Sequence, residues 1–280
     1  MPKQAAFHVM DDPPLLASRW RRSGQLLLRL AALLVAGAVS LACGTTLPTK
    51  EPVRLTLATS SSALPLADDL ARSYRAAFPH IMVDVLALAN EAAAAQAVLA
   101  SRADAALVAG PAPAPAGLAA SHVATDALAI VVHPDRPLDN LTGEQIPEIF
   151  SGRLRTWDEL GAGDDAIQIV TREPEAGPRL ALIEAFLGAR PLTATAIVLP
   201  DDRQILARVA SDPQAIAALP AGWLDAQVQA VAIDGRDPEW VARQWPGYPA
   251  ELPIHLLTPI TPAPEIAVLR DWLLSPSGQR

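Results

Sequence analysis

Two short stretches carry side chains whose types and spacing suit the capture of an anion. Ser60, Ser61 and Ser62 stand in a row between the apolar run VRLTLAT (Val53–Thr59) and a segment with Leu66, Leu70, Tyr74 and Phe78 four residues apart. Arg172 closes a second apolar run, AIQIVT (Ala166–Thr171), and is followed after Glu-Pro-Glu-Ala by Gly177, Pro178 and Arg179. Hydroxyls and unpaired N–H groups at a helix start attract anions, and a guanidinium forks onto oxyanions. Gly177 and Pro178 fit the Ncap and N1 positions of a helix that Arg172 can reach over. Each stretch also has a plainer reading. One serine of the three would cap the helix while the others face water. The two arginines would be solvated, pairing with Glu173 or Glu175, an arrangement that contributes little.

Signals for catalysis are absent. Ser61 with His133 or His255 would make a serine hydrolase, but no G-x-S-x-G elbow surrounds the serine. No H-E-x-x-H, C-x-x-C or P-loop pattern occurs. His80, His122, His133 and His255 lie beside strand-like runs without metal-ligand spacing and read as structural. The expectation is a chain with no catalytic residues, no metal and no cofactor.

The elements that must position these residues alternate. Val53–Thr59 and IMVDVLA (Ile81–Ala87) read as strands, with an amphipathic helix between them; Glu91–Ser101 is an Ala-rich helix. Strands follow at DAALV (Asp104–Val108) and DALAIVVH (Asp126–His133). Thr142 and Gln145 form a capping box at the next helix start. AIQIVT, a helix from Pro178 to Leu187 stopped by Gly188, the strand AIVLP, a helix around Arg203–Ala210, the strand VQAVAID and a last helix near Glu265–Leu274 complete the series. Such alternation gives an α/β fold with mainly parallel sheets and flanking helices. The tryptophans Trp157, Trp223, Trp240, Trp245 and Trp272 read as packing residues.

The chain has 280 residues, 51% of them hydrophobic but only 4% aromatic, with 27 Pro against 15 Gly. That length buries a sizeable core and suffices for two lobes. The N-terminus stands apart from this body. Arg19, Arg21 and Arg22 precede an apolar run from Leu30 to Ala42, which suits the hydrophobic region of a signal peptide better than a spanning helix. The single cysteine, Cys43, ends that run ahead of Gly44. An exported lone thiol forms no intrachain disulfide and is a reactive liability unless modified. The alternative is an uncleaved signal anchor with an incidental cysteine. Removing residues 1–42 takes away five of the 22 basic and two of the 30 acidic residues, leaving a net charge of −11. A body of that charge has no footprint for nucleic acid or for an anionic membrane surface. Residues 43–52 form a Pro- and Thr-bearing tether.

LACG (Leu41–Gly44) resembles the lipobox of bacterial lipoproteins, with Ser40 where that family usually has Leu, Val or Ile. The body carries a longer resemblance. LDNLTGEQIPEIFSGRLRTWDELG (Leu138–Gly161) is similar to the central segment of phosphate-binding proteins of ABC transporters. The serine turn, DALAIVVHPDRPL, TREPEAGPR, SDPQAIAALP, GYPAELPIHLLT and LLSPSGQ follow in the same order. The resemblance implies a two-lobed periplasmic-binding-protein type II fold, with residues 53–125 plus 224–280 in lobe I and 126–223 in lobe II. It implies an extracytoplasmic protein anchored to the cell membrane by lipidated Cys43 and acting as a monomer, with a small anionic ligand (phosphate or another oxyanion) and an ABC permease as partners. The ligand-binding positions it carries over are Ser60, Ser61, Ser62, Arg172 and Gly177. Others are changed. Ala176 and Pro178 replace the family's serine and threonine, Asn90–Gln96 lacks its Gly-Ser turn, and Ala109 stands where an Asp or a Ser-Arg pair is common. The expectation is an importer's solute-binding protein with an altered or weakened oxyanion site, or a ligand-free module of the same fold that faces a sensor or envelope partner.

Overall fold

The computed structural model describes residues 52–111, 114–238 and 247–279. The leader, Cys43, the tether up to Glu51, Trp240 and Trp245 lie outside the described residues. Strands β1 (Val53–Ser60), β2 (Ile81–Leu88) and β3 (Ala105–Ala109) alternate with helices α1 (Leu64–Ala77) and α2 (Glu91–Leu99). β1 lies between β2 and β3 and is parallel to both, in register from Val53 opposite Ile81 to Ser60 opposite Leu88. The α1 helix begins at Leu64 with Pro65 in its first turn, and buries Ala67, Leu70 and Tyr74 while Leu66 is exposed.

Next come β4 (Leu118–Val132), β5 (Asn140–Leu141), α3 (Gln145–Phe150), β6 (Gln168–Thr171), α4 (Gly177–Leu182), β7 (Ile197–Val198) and α5 (Asp202–Ser211). The chain ends with β8 (Ala215–Pro220), β9 (Gln229–Ile233), β10 (Glu251–Pro259) and α6 (Pro264–Leu273). The main sheet runs β2-β1-β3-β10-β4-β8-β6-β7, with β9 pairing to β4 and β5. Every antiparallel pair in it involves β4 or β10. The remaining pairs are parallel, as alternating strands and helices require.

β4 holds the two halves of this sheet together. Its residues 118–127 pair with β10, and residues 128–132 pair with β8 and β9. The sequence shows only the second stretch as a strand, because Leu128–Val132 is a continuous buried apolar run and Leu118–Thr125 is largely small and exposed. β9, grouped with lobe I on the sequence, makes its ladder bonds to Ile130–Val132 and to β5 instead. Asp126 sits at the changeover and accepts N–H groups from Ala127 and Gly222, which ties β4 to the turn after β8.

A continuous core runs under both halves, through Leu57, Leu107, Leu128, Ile130, Ile146, Phe150 and Trp157. Thr142 and Gln145 make the reciprocal capping bonds expected of them, and Thr156 with Glu159 forms a second such box that seats Trp157 in the core. Trp272 packs edge-on against Tyr74. The helix beginning at Gly177 runs to Leu187, its last five residues as a π turn, and stops at Gly188 in the left-handed region.

Candidate functional site

The serine turn and Arg172 meet. Arg172 follows β6 directly, and its side chain is 1% exposed. All five of its N–H groups are directed at protein acceptors. Nε and Nη2 fork onto Glu173 at 3.0 and 3.1 Å, and Nη2 also reaches Ala89 O at 3.3 Å. Nη1 donates to Asp202 Oδ2 and to Ser61 Oγ, the latter at 2.8 Å. The reading of Arg172 as a solvated surface group is therefore excluded for this conformation.

Asp202 is fully buried at the first position of α5, beside the Asp201 cap. It accepts hydroxyl hydrogens from Ser61 at 2.5 Å and Ser62 at 3.0 Å, and its own N–H points at Ser61 Oγ. The plain cap reading of the serine turn fails as well, since no serine hydroxyl caps α1 and the hydroxyls of Ser61 and Ser62 go to a carboxylate 140 residues or more away. Ser60 turns the other way, donating at 2.8 Å to Glu91 Oε1. Trp223 borders the cluster, its Nε1–H donating to Ser61 O at 2.9 Å, while Arg203 lies over its ring.

Gly177 is brought to the same place, one position later in its helix than expected. Ala176, with extended backbone, is the cap, Gly177 is the first helical residue and Pro178 follows it in the first turn. The Gly177 amide lies against the Glu91 carboxylate and stabilises its ionised form. The backbone of Gly177 abuts Ala109 and Gly110 so closely that a Cβ on either glycine would collide with the other segment. Gly110 also has φ +103, which favours glycine. Arg179 does not enter the cluster; its Nη1 donates to the carbonyl of Arg172 and braces that backbone.

Burial and charge decide the protonation balance. Burial pushes the Glu91 carboxyl above the usual carboxylate range, against the opposing pull of its own N–H, Ser60, Gly177 and Arg172. Burial likewise raises Asp202, opposed by Arg172 and the two serine hydroxyls. For Arg172, burial works against the cation, but Asp202 and Glu173 outweigh it and hold the guanidinium charged. Glu91 Oε2 and Asp202 Oδ1 are buried with no hydrogen-bond partner among the described residues. One guanidinium thus faces three carboxyl groups.

Sequence reasoning missed Glu91, Asp202 and the bond from Trp223. The signal available for Glu91 was an acidic residue in the segment where the resembling family has Gly-Ser. Among the described residues no group of three or more His, Cys, Asp or Glu side chains could hold a metal, and no helix is long and apolar enough to cross a membrane.

With this geometry in view, the fold is that of the type II periplasmic binding proteins. Residues 46–257 match the model of the PBP superfamily domain, and the chain belongs to that family. The phosphate-binding protein PstS of Bacillus subtilis (strain 168) is 33% identical over 119 residues, 42% of this chain and 39% of that protein. The chain therefore matches about two fifths of the length of this curated relative. Among solved structures, an ABC-type phosphate transport receptor from Vibrio cholerae is 26% identical, covering 80% of this chain and 95% of that one with a TM-score of 0.61. A Clostridium perfringens protein assigned as a phosphate ABC transporter substrate-binding protein, solved with bound phosphate, shares the fold at 24% identity. It covers 80% of this chain and 94% of its own, with a TM-score of 0.72. These relatives are binding proteins and receptors, in keeping with a sequence that has no nucleophile–base pair.

Proposed function

We propose that this chain is an extracytoplasmic solute-binding protein, anchored by lipidated Cys43, whose oxyanion seat is weakened relative to the phosphate-binding proteins it resembles. The observation that carries the reading is Arg172, buried with its donors taken by Asp202, Glu173, Ser61 and Ala89. A ligand would have to displace those partners. It would also find Ala176 and Pro178 in place of two hydroxyl side chains. Each charge-assisted hydrogen bond to a buried anion contributes about 1.5–3 kcal/mol, so losing several weakens phosphate binding by orders of magnitude. Ser60, Ser61, Ser62, Arg172 and Gly177 are the proposed ligand-facing residues, and an ABC permease is the proposed partner of a monomeric body. Two lobes, 53–125 with 224–280 and 126–223, would meet at Asp126, with β9 lending its edge to the second.

Isothermal titration calorimetry of the full chain in detergent, with phosphate, sulfate, phosphonates and organic phosphates, tests this reading. Weak or no phosphate binding with a response to a larger anion, abolished by Arg172→Ala, is the expected result. Micromolar phosphate binding lost in that variant would refute the weakened seat. A second reading, a module with no cleft ligand, is favoured by the Gly110–Gly177 backbone contact, and silence across the whole panel would establish it. Mass spectrometry of the membrane fraction tests the anchor; an unacylated N-terminus running through Cys43 refutes it.

A further inference from the structure

Glu91 arrives at the seat from a different element than the other acids. It is the first residue of α2, 7% exposed, and its carboxylate reaches the Ser60 hydroxyl on β1 and the Gly177 amide on α4 at once. Arg172 supplies the positive charge that acts on it, while Oε2 is buried without a partner among the described residues. A hydroxyl and a backbone amide meet on one carboxylate, with the Arg172 charge close enough to act on it, and these are groups that also recognise a free oxyanion. The close backbone approach of Gly177 to Ala109 leaves that carboxylate walled in on the α4 side.

We propose that Glu91 is the specificity-determining residue of this seat, an internal ligand whose carboxylate takes the place of a free oxyanion and excludes phosphate. The proposal rests on the weakened-seat reading and names its cause: beyond the missing hydroxyls, the position is filled. Phosphate would enter beside three carboxyl groups, Glu91, Glu173 and Asp202, against a single guanidinium. Removing the Glu91 side chain beyond Cβ vacates room for a short carboxylate such as acetate, or for phosphate, between Ser60 Oγ and the Gly177 amide.

Chemical rescue tests this. Full-length wild type, Glu91→Ala and Glu91→Gln are melted in acetate, inorganic phosphate or sodium chloride of matched ionic strength, and titrated with phosphate. The wild type is expected to ignore acetate and phosphate. Glu91→Ala is expected to be less stable in chloride, to regain stability in acetate and phosphate, and to bind phosphate about tenfold or more tightly than wild type. Glu91→Gln fills the space with an amide and is expected to show no rescue by acetate. A folded Glu91→Ala as unresponsive as wild type overturns the proposal, and so does equal rescue of Glu91→Gln. Should Glu91→Ala be unfolded in chloride, refolding in acetate or phosphate supports the proposal, and failure to refold in either overturns it. Micromolar phosphate binding by the wild type would instead sink the weakened-seat reading beneath it.

Discussion

Arg136 and Arg172 are both buried arginines, and they are neutralised in opposite ways. Arg136 lies over Trp157 and donates mainly to carbonyls, Ala162 O at 2.7 Å and Pro213 O, with Asp165 at its half-exposed end. Its partners all belong to the part of the chain that packs around β6 and β8. Arg172 is held by carboxylates, and it also reaches Ser61 and Ala89, 111 and 83 residues away, on the β1–β2 side of the sheet. An arginine bonded to carbonyls pins a local fold. One shared between two groups of elements can become a switchable contact, because the same donors would serve an incoming anion.

The sharpest way to break this comparison is to remove each guanidinium in turn. Arg172→Ala strands Asp202 and Glu91 as buried acids, and we expect a loss of about 3–5 kcal/mol by denaturant unfolding at neutral pH. Arg136→Ala leaves carbonyls unpaired, with a smaller expected loss of about 1–3 kcal/mol and no effect on anion binding. Next in size is Gly177→Ala, whose Cβ would press into the Ala109 carbonyl; overpacking of this kind costs about 1–3 kcal/mol, and thermal melts should show it. Trp223→Phe keeps the ring but deletes the bond to Ser61 O, an expected loss of about 1 kcal/mol in the same assay.

The smallest effect concerns pH. Glu91 and Asp202 have carboxyls raised by burial in the folded state, so they bind protons more readily there than in the unfolded chain. Their contribution to stability is full below the unfolded value of about 4.3 for Glu and about 3.9 for Asp, and is lost as pH rises through the folded values. Melting temperature is therefore expected to climb modestly as pH falls from neutral toward about 5, and less so in Glu91→Gln.

Most of the fold is written in local pattern. The β1-α1-β2-α2 series, the Thr142–Gln145 capping box and the Gly188 stop are all where the sequence puts them. Three of the longer strand regions are not legible. β10 contains Pro253 and a bulge after Ile254, β8 is an Ala-rich run with no alternation, and the first half of β4 is too polar on one face to announce itself. Their strand character comes from neighbours far along the chain. The site divides in the same way. The three serines and Arg172 are marked in the sequence as the proposed anion ligands, and Gly177 lies one helical position later than the sequence suggests because Ala176, with no capping side chain, takes the cap by backbone shape alone. Glu91 and Asp202 escaped notice because an acid at the first turn of a helix already has a sufficient local explanation in the helix dipole. What they do in addition depends on elements 30 residues or more away, Ser60 for one and Arg172 for the other.

The place of β10 sets the order in which this molecule can be assembled. It slots between β3 and β4, yet it begins more than 140 residues after β3 ends. A nascent chain that has made everything up to β9 still has two unsatisfied strand edges on either side of that gap, the kind of surface on which chains pair with one another. Closure of the sheet waits for the last thirty or so residues and must then pay a large loop entropy at once, which makes folding slow and late. Truncations that keep Ser60, Ser61, Ser62 and Arg172 but end before Glu251 should therefore yield aggregates rather than a smaller folded protein.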